Sequence, residues 1–134
     1  MTAKSLSIYK NKIIKNKKGS IIKFVNKKNK FFKSFGEIYF SEIKKGTSKG
    51  WNYHKKYTCI ITVPIGKAEF KIFGPKKKLE VKYITKKDTL VIPPKHWFSF
   101  KSKASKTIIS NMINGVHSEQ ETEKSDLISG IKIR

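Results

Sequence analysis

The sequence contains little cysteine, arginine or acid: its 134 residues include one cysteine, one arginine and 9 acidic residues. Because Cys59 is alone, it cannot form an internal disulfide, and the chain is expected in the cytoplasm. No apolar run reaches the roughly 18 residues that span a bilayer, and the N-terminus lacks the apolar segment of a secretory signal. The length fits one domain with a modest core. These absences predict a single small domain without a membrane partner.

Positive charge is the most abundant feature, since 31 Lys plus Arg give a formal net charge of +22. A basic surface attracts polyanions such as nucleic acid or phosphorylated small molecules. However, Arg134 is the only arginine, and arginine is the residue that reads guanine edges and binds phosphate through two hydrogen bonds. The 30 lysines also accompany 19 isoleucines and 7 asparagines, which share A/T-rich codons. We interpret most of the charge as coding bias on a solvated surface. A basic, nucleic-acid-binding β-domain is the least favoured hypothesis.

The charge divides the chain unevenly. Residues 1–36 contain eleven lysines and no acidic residue. The sequence therefore predicts a basic N-terminal arm over residues 1–18 and a single domain over residues 19–134. Short helices are expected only near residues 5–16 and 119–128. The last segment contains a small acidic cluster: Glu119, Glu121, Glu123 and Asp126.

Between Glu37 and Asn111 the sequence has the pattern of short β-strands. β-branched and aromatic residues alternate with polar ones, and turn signals rich in Gly and Pro separate the runs. One further strand is expected near Ile21–Val25. Strands spaced about ten residues apart predict an all-β antiparallel sandwich or barrel. The main strands are expected within residues 37–43, 57–63, 68–73, 79–83 and 98–100.

Three segments resemble a known family when taken together: Gly36–Glu42, Lys49–Lys55 and Ile92–Phe100. Their order and spacing are similar to those of cupins of the dTDP-4-dehydrorhamnose 3,5-epimerase-like group, which also includes sugar 3,4-ketoisomerases. The resemblance covers roughly residues 19–120. It implies the cupin (RmlC-like jelly-roll) antiparallel β-barrel. A homodimer is also expected, from the resemblance and because open sheet edges commonly pair.

Most metal-ligand positions of the general cupin pattern carry other residue types in this sequence. Its spacing from Gly46 leads to Asn52, His54 and Cys59, and its second part leads to Phe98. Zinc, iron and manganese sites need about three strong nitrogen, oxygen or sulfur donors. Only His54 keeps its residue type. The resemblance therefore implies a metal-free barrel that uses no cofactor.

Acid–base chemistry is what the resemblance implies instead. An epimerase of this group abstracts the proton next to a 4-keto group with a His, and a Tyr returns a proton on the other face. This chemistry needs a base poised near neutral pH and donors for the enolate oxygen. In this chain the catalytic His position is Asn52, whose amide cannot act as a base, and the Tyr would fall near Ser110 or Asn111. The candidate base is His54, which shares a strand face with Asn52.

Tyr39 is the candidate acid, and Tyr53 and Tyr57 are the alternatives. If Asn52 and His54 face inward, Tyr53 faces outward. Tyr39 has two interpretations, because it could line the pocket or pack as a strand aromatic against a neighbour. The choice between these two interpretations is left open by the sequence.

The candidate substrate contacts come from the same matched segments. Lys49 stands where the family has a basic residue near the substrate phosphate. Trp51 could stack on a base or sugar, or fill a sheet interface. Cys59 is expected to line the barrel, with a small apolar filler as its favoured role. The complete set of candidates for substrate contact is Lys49, Trp51, Asn52, Cys59, Phe98 and Asn111.

The resemblance implies a sugar-nucleotide-processing cupin. Its reaction would be epimerisation or keto-isomerisation of a nucleoside-diphosphate 4-keto-6-deoxyhexose, in deoxysugar or polysaccharide synthesis. The alternative is a non-catalytic cupin that binds a sugar nucleotide or glycan, because Asn52 and Phe98 replace expected histidines. In the first hypothesis His54 is the base and Lys49 holds phosphate.

Overall fold

The computed structural model describes residues 5–125, which form β-strands without a helix. Within this part of the chain, no helix has the length and apolarity to cross a bilayer. The strands are β1 (Ser7–Lys10), β2 (Lys12–Asn16), β3 (Gly19–Lys23), β4 (Glu37–Lys44), β5 (Ser48–His54), β6 (Cys59–Ile65), β7 (Ala68–Phe73), β8 (Leu79–Ile84), β9 (Asp88–Ile92), β10 (Trp97–Ser102), β11 (Lys106–Ile113) and β12 (Thr122–Lys124).

Ten of these strands form two antiparallel five-stranded sheets. The first sheet has the order β1-β9-β6-β11-β4, and the second has the order β12-β5-β10-β7-β8. From β4 to β12, strands that follow one another along the chain lie in different sheets, except β7 and β8, which pair in the second sheet, so the chain passes repeatedly between the sheets. β2 and β3 form a separate hairpin. This architecture confirms the expected all-β, antiparallel jelly-roll barrel.

The main core lies between the two sheets and follows from the alternation of residues along each strand. In β7, Ala68, Phe70 and Ile72 are buried, whereas Lys71 between them is exposed. These inward side chains belong to one cluster with Ile61 of β6 and with residues of most other strands. Burying apolar surface contributes about 25 cal/mol per Å², so this cluster is the principal stabilising element of the barrel.

A second, smaller core covers the outer face of the first sheet. It contains Ile60, Val91 and Met112 from three strands of that sheet, together with the buried Phe31. Phe24, Val25 and Phe32 pack against it. The segment that follows the β2–β3 hairpin therefore lies across the back of the barrel.

The ends of the described chain are strands, and the helices expected there were wrong. β1 pairs with β9, β2 pairs with β3, and β12 pairs with β5. The open edges of β9 and β5 provide backbone partners that a helix would leave unpaired, and the isoleucines of β1 and β2 favour extended structure. Residues 126–128 lie outside the described residues. The strand expected near Ile21–Val25 is present as β3, two residues earlier, and residue 18 lies in the turn of the hairpin.

Candidate active site

A cavity of about 320 Å³ lies inside the barrel and is lined by both sheets. We call it the barrel cavity. Its volume is at the lower end of the roughly 300–1,000 Å³ found for small-molecule sites. Seven of the eight candidate site residues line it: Tyr39, Lys49, Trp51, Asn52, His54, Phe98 and Asn111.

Strand register explains why these residues meet. In the first sheet, Tyr39 of β4 lies opposite Asn111 of β11, and Asn111 lies opposite Ile61 of β6. In the second sheet, Asn52 of β5 lies opposite Phe98 of β10. Since residues in register share one face of a sheet, each row presents its side chains to the same side. The two rows form facing walls of the cavity.

A bulge in β5 accounts for two neighbouring residues facing the cavity. Phe98 pairs with Asn52, but the next residue, Ser99, pairs with Gly50, so Trp51 is the extra residue. A bulge reorients the side chains around it, which lets Trp51 and Asn52 both line the cavity although strict alternation would separate them. The Trp51 backbone bonds instead to Ser125, with N···O distances of 2.8 and 3.0 Å.

His54 is held by a buried carboxylate. Its Nδ1 lies 2.6 Å from Oε1 of Glu121, and the two side chains are 6% and 5% exposed. The other oxygen, Oε2, accepts hydrogen bonds from the backbone N–H groups of Lys56 and Tyr57, at 3.0 and 3.1 Å. Burial raises the pKa of Glu121, but the His54 hydrogen bond and these two backbone donors outweigh it, so the net pKa lies below its ordinary value of 4.5.

This pairing fixes the proton arrangement of the histidine. An ionised carboxylate only accepts hydrogen bonds, so Nδ1 of His54 must carry the hydrogen that Glu121 accepts. In the neutral imidazole the lone pair then resides on Nε2. His54 lines the cavity, whereas Glu121 lies behind it. The arrangement is that of a general base oriented by an acid.

Tyr39 is anchored on the opposite wall. Nδ2 of Asn111 donates a hydrogen bond to the Tyr39 hydroxyl oxygen at 2.9 Å. Burial, with a smaller contribution from Cys59, raises the pKa of Tyr39 well above its usual value. The hydroxyl is therefore protonated at neutral pH, and its hydrogen remains available for donation. Oδ1 of Asn111 is buried and has no hydrogen-bond partner among residues 5–125.

Cations and a further histidine also line the cavity. Nζ of Lys49 donates a hydrogen bond to Oγ of Ser41 at 2.9 Å. Lys124 and His117 belong to the same lining, and the backbone N–H of His117 bonds to the Glu37 carboxylate at 3.0 Å. Lys49, Lys124 and His117 are exposed, in contrast to His54. Positive charge therefore lies in the solvent-accessible part of the cavity, and the histidine–carboxylate pair lies in the buried part.

Cys59, the eighth candidate, lies outside the cavity lining, and so do Tyr53 and Tyr57, the alternatives to Tyr39. Cys59 is 1% exposed and belongs to the core between the sheets, where burial raises its pKa to about 12. Tyr53 packs on Trp97 with ring centroids 4.9 Å apart. Tyr57 packs against the core, and its ring centroid lies 6.2 Å from that of His54. Among the tyrosines considered, Tyr39 is the one that the fold brings to His54's cavity.

The donors near the base do not form a metal-binding group. Across residues 5–125, no set of three or more His, Cys, Asp or Glu side chains is arranged to hold a metal ion. His54 and Glu121 are hydrogen-bonded to each other, and Asn52 and Phe98 occupy the neighbouring positions of their strands. Transition-metal sites need about three strong donors.

Sequence reasoning missed Glu121 as the partner of His54, as well as the lining residues His117 and Lys124. Glu121 is 67 residues from His54 along the chain, so no short motif links them. The available signal was the acidic cluster near the end of an otherwise lysine-rich chain, because a catalytic histidine commonly needs a carboxylate. Which of the acids would reach His54 depends on the pairing of β12 with β5.

This chain is similar to several proteins of known structure. The sequence matches no family model and no curated protein at a significant level. A dTDP-sugar isomerase from Desulfovibrio desulfuricans has a TM-score of 0.89 and 22% identity, covering 95% of this chain and 87% of that chain. The 3,4-ketoisomerase QdtA from Thermoanaerobacterium thermosaccharolyticum, solved as a mutant with TDP-4-keto-6-deoxyglucose, has a TM-score of 0.81 and 17% identity, covering 92% and 89%.

A third structure is a 3,5-epimerase of the same fold. The dTDP-6-deoxy-D-glucose-3,5-epimerase RmlC from Legionella pneumophila, in complex with dTDP-4-keto-L-rhamnose, has a TM-score of 0.81 and 14% identity, covering 93% of this chain and 74% of that chain. These similarities extend over nearly the whole chain at low identity, so they establish the fold. The chain is an RmlC-like cupin in fold, as the 3,5-epimerases and 3,4-ketoisomerases of sugar nucleotides are.

Proposed function

We propose that this chain is a sugar-nucleotide epimerase or keto-isomerase that acts on a nucleoside-diphosphate 4-keto-6-deoxyhexose. The observation that carries the proposal is the buried pair of His54 and Glu121, 2.6 Å apart, on the wall opposite a protonated Tyr39. Proton transfer next to a ketone needs a base and a proton donor in one site. Solved neighbours of the same fold bind TDP-4-keto-6-deoxyglucose and dTDP-4-keto-L-rhamnose.

His54 acts as the base in this proposal. Its Nε2 removes the proton from the carbon next to the ketone, and the electron pair moves to the ketone oxygen to give an enolate. Nδ1 stays bonded to Glu121, whose negative charge stabilises the imidazolium that forms. Glu121 stays ionised during the reaction, because its Oε2 accepts hydrogen bonds from the backbone N–H groups of Lys56 and Tyr57.

Tyr39, Asn52 and Asn111 stabilise the enolate and support its conversion back to the ketone. The Tyr39 hydroxyl, whose oxygen Asn111 holds, donates its proton to the nucleophilic carbon of the enolate from the opposite wall. Solvent water then returns a proton to the Tyr39 phenolate and accepts the proton held by the His54 imidazolium. Asn52 stands beside His54 on β5 and donates to the sugar or enolate oxygen. Preorganised donors of this type stabilise charge that develops during reaction.

The exposed lysine binds the diphosphate. Lys49 lines the cavity and is held by Ser41 at 2.9 Å. An ammonium group is a suitable phosphate ligand, and Lys124 in the same lining provides a second cation. Trp51, placed by the bulge in β5, offers an aromatic face for the nucleobase or sugar.

The direct test is proton exchange in deuterated water. The full-length protein is incubated with TDP-4-keto-6-deoxyglucose, and deuterium incorporation next to the ketone is followed by NMR. We expect incorporation by the wild-type protein and a loss of about 10³-fold in His54→Asn, within the range of general base catalysis. His96→Asn is the matched control, since His96 is also buried but bonds to the Pro94 carbonyl outside the cavity. Absence of exchange by the folded wild-type protein would reject this activity.

A non-catalytic sugar-nucleotide-binding cupin is the second candidate. It is favoured by Asn52 and Phe98, which occupy positions where the related group has histidines and cannot move protons. Under this hypothesis TDP-sugars bind without exchange. His54→Ala would then change the dissociation constant measured by calorimetry while exchange stays at the background of a no-protein control. Exchange above that background removes this candidate.

A further inference from the structure

A second cavity lies outside the barrel, where the β2–β3 hairpin meets the first sheet. Its volume is about 440 Å³, within the range of small-molecule sites. We call it the basic cavity. It shares no lining residue with the barrel cavity. The residues that matter for its chemistry are Tyr9, Asn11, Lys12, Lys23, Phe31 and Thr89.

Three lysines line the basic cavity, Lys10, Lys12 and Lys23, and the last two form its unpaired cationic side. Lys12 and Lys23 lie directly opposite each other in the β2–β3 hairpin. Like charges opposite each other in a strand pair are destabilising. Within residues 5–125 neither lysine forms an ion pair with an acid, whereas neighbouring Lys10 is paired with Asp88 at 3.0 Å. An anion bound between the two ammonium groups would attract both of them and so offset the repulsion between Lys12 and Lys23.

The floor of the basic cavity is polar and internally hydrogen-bonded. The side-chain NH₂ group of Asn11 donates to the Lys86 carbonyl, to Oγ1 of Thr62 and to the Asp88 carbonyl, at 2.9, 3.0 and 3.1 Å. Its Oδ1 accepts from the Thr89 hydroxyl. Thr89 is buried and in register with Tyr9 across β1 and β9. These hydrogen bonds hold the Asn11 and Thr89 side chains in place at the floor of the cavity.

An aromatic wall stands beside the lysines. Tyr9 and Phe31 have ring centroids 4.7 Å apart with planes inclined by 33°. Phe31 is buried in the second, smaller core on the outer face of the first sheet, and Tyr9 is 38% exposed. A partly exposed aromatic surface beside two cations fits a ligand that has a planar ring and a negatively charged group.

We propose that the basic cavity binds a nucleotide, with its phosphates between Lys12 and Lys23 and its base against the exposed side of Tyr9, which Phe31 supports from behind. This site is separate from the barrel cavity, and the proposal does not depend on the proposed catalytic function. Binding would stabilise the hairpin, which has few contacts with the rest of the protein and would otherwise be a marginal two-stranded element.

The test uses residue-resolved NMR, because it separates the two cavities. Adenosine diphosphate is titrated into full-length ¹⁵N-labelled protein, and the amide signals of Asn11 and Thr89 are compared with those of Asn52 and His54. We expect saturable shifts at Asn11 and Thr89. The double variant Lys12→Gln/Lys23→Gln should weaken binding by about tenfold, as the loss of charged hydrogen bonds implies.

Lys15→Gln is the matched control. Lys15 lies on the same strand as Lys12 but pairs with Ser20 and faces the other side of the hairpin. We expect it to keep wild-type affinity. Equal weakening by Lys15→Gln and the double variant would show diffuse attraction to a basic surface and overturn the site. Shifts confined to Asn52 and His54, or no saturable shift, would also overturn it while leaving the barrel cavity's function untouched.

The aromatic part of the proposal has its own comparison. Inorganic pyrophosphate carries the charge without the ring, so it should bind more weakly than adenosine diphosphate. Tyr9→Ala should reduce the affinity for adenosine diphosphate to about that for pyrophosphate. If pyrophosphate binds the wild-type protein as tightly as adenosine diphosphate does, the cavity does not recognise a nucleotide. Thermal unfolding checks that each variant is folded, and loss of like-charge repulsion should leave the double variant at least as stable as wild type.

Discussion

The barrel cavity and the basic cavity hold charge in opposite ways. In the barrel cavity the charged side chain behind the wall, Glu121, is buried and bonded to His54 and to two backbone N–H groups. In the basic cavity Lys12 and Lys23 are exposed and oppose each other. Moving a charge out of water costs several kcal/mol unless partners replace the water, whereas an exposed charge is screened within about 8–10 Å. The burial of a charged group, rather than the number of charges in a cavity, therefore determines whether the group is held by specific hydrogen-bond partners.

Glu121→Gln should produce the largest effect of the variants that test this contrast. The substitution keeps the shape of the side chain but removes the charge that orients His54 and stabilises its protonated form. We expect deuterium exchange to fall by about 100-fold and the free energy of unfolding to fall by about 2 kcal/mol, since charged hydrogen bonds are lost. Exchange kinetics and urea denaturation measure the two effects. Glu123→Gln is the control, because Glu123 lies two residues further along the chain, on β12, and is exposed.

The pH dependence of that stability difference distinguishes a charge effect from a loss of packing. The pKa of Glu121 is lower in the folded chain than its ordinary value of 4.5. Its stabilisation is therefore fully present above about pH 4.5 and is lost as the pH falls through the lower, folded-state pKa. The gap in unfolding free energy between wild type and Glu121→Gln should be constant near neutral pH and shrink in acid. A gap that stays constant into strong acid contradicts the assignment.

Tyr39→Phe should have the next largest effect and addresses the opposite wall. It removes the hydroxyl that Asn111 anchors and keeps the ring. If Tyr39 returns the proton, deuterium loss and uptake through His54 should persist while product formation falls by at least about tenfold. Product is measured by NMR of the sugar after reduction of the ketone. Tyr53→Phe, whose ring packs on Trp97 outside the cavity, should leave product formation unchanged. Equal losses in both variants would remove Tyr39 from the role.

Much of the fold, but less of the site, can be predicted from the sequence. Strands such as β7 are encoded locally, because Ala68, Phe70 and Ile72 alternate with polar residues and meet the core at every second position. The pairing of His54 with Glu121 is different, since it depends on where the last strand joins the sheet. Nothing in the local pattern around residues 119–125 distinguishes a helix from a three-residue strand. Trp51 was a candidate because of the family resemblance, but strict strand alternation would separate it from Asn52, and the bulge that lets both line the cavity has no signal in the local pattern.

Lys49→Gln should reduce activity less than Glu121→Gln or Tyr39→Phe does, because Lys49 is exposed. It is hydrogen-bonded to Ser41 and lines the cavity, so its loss should raise KM by about fivefold with little change in kcat, as removal of uniform substrate binding predicts. Lys101→Gln is the matched control, since Lys101 is an exposed lysine on the neighbouring strand β10 and does not line the cavity. Equal KM changes in the two variants would indicate general electrostatic attraction to the basic surface. Steady-state kinetics with a TDP-sugar decide between these outcomes.

Lys23→Glu should give the smallest effect, and its sign is what matters. The substitution places an acid directly opposite Lys12 and turns a repulsive strand pair into an attractive one, so the protein should become more stable by about 0.5 kcal/mol. Lys15→Glu makes the same change in net charge opposite Ser20 and should alter stability less. Equal gains in the two variants would show relief of overall charge instead of a local pair. The Lys23→Glu variant should also lose nucleotide binding at the basic cavity, so stability and binding move in opposite directions there. In the barrel cavity Glu121→Gln lowers both stability and activity, because there the same bonds that hold the fold also orient the base.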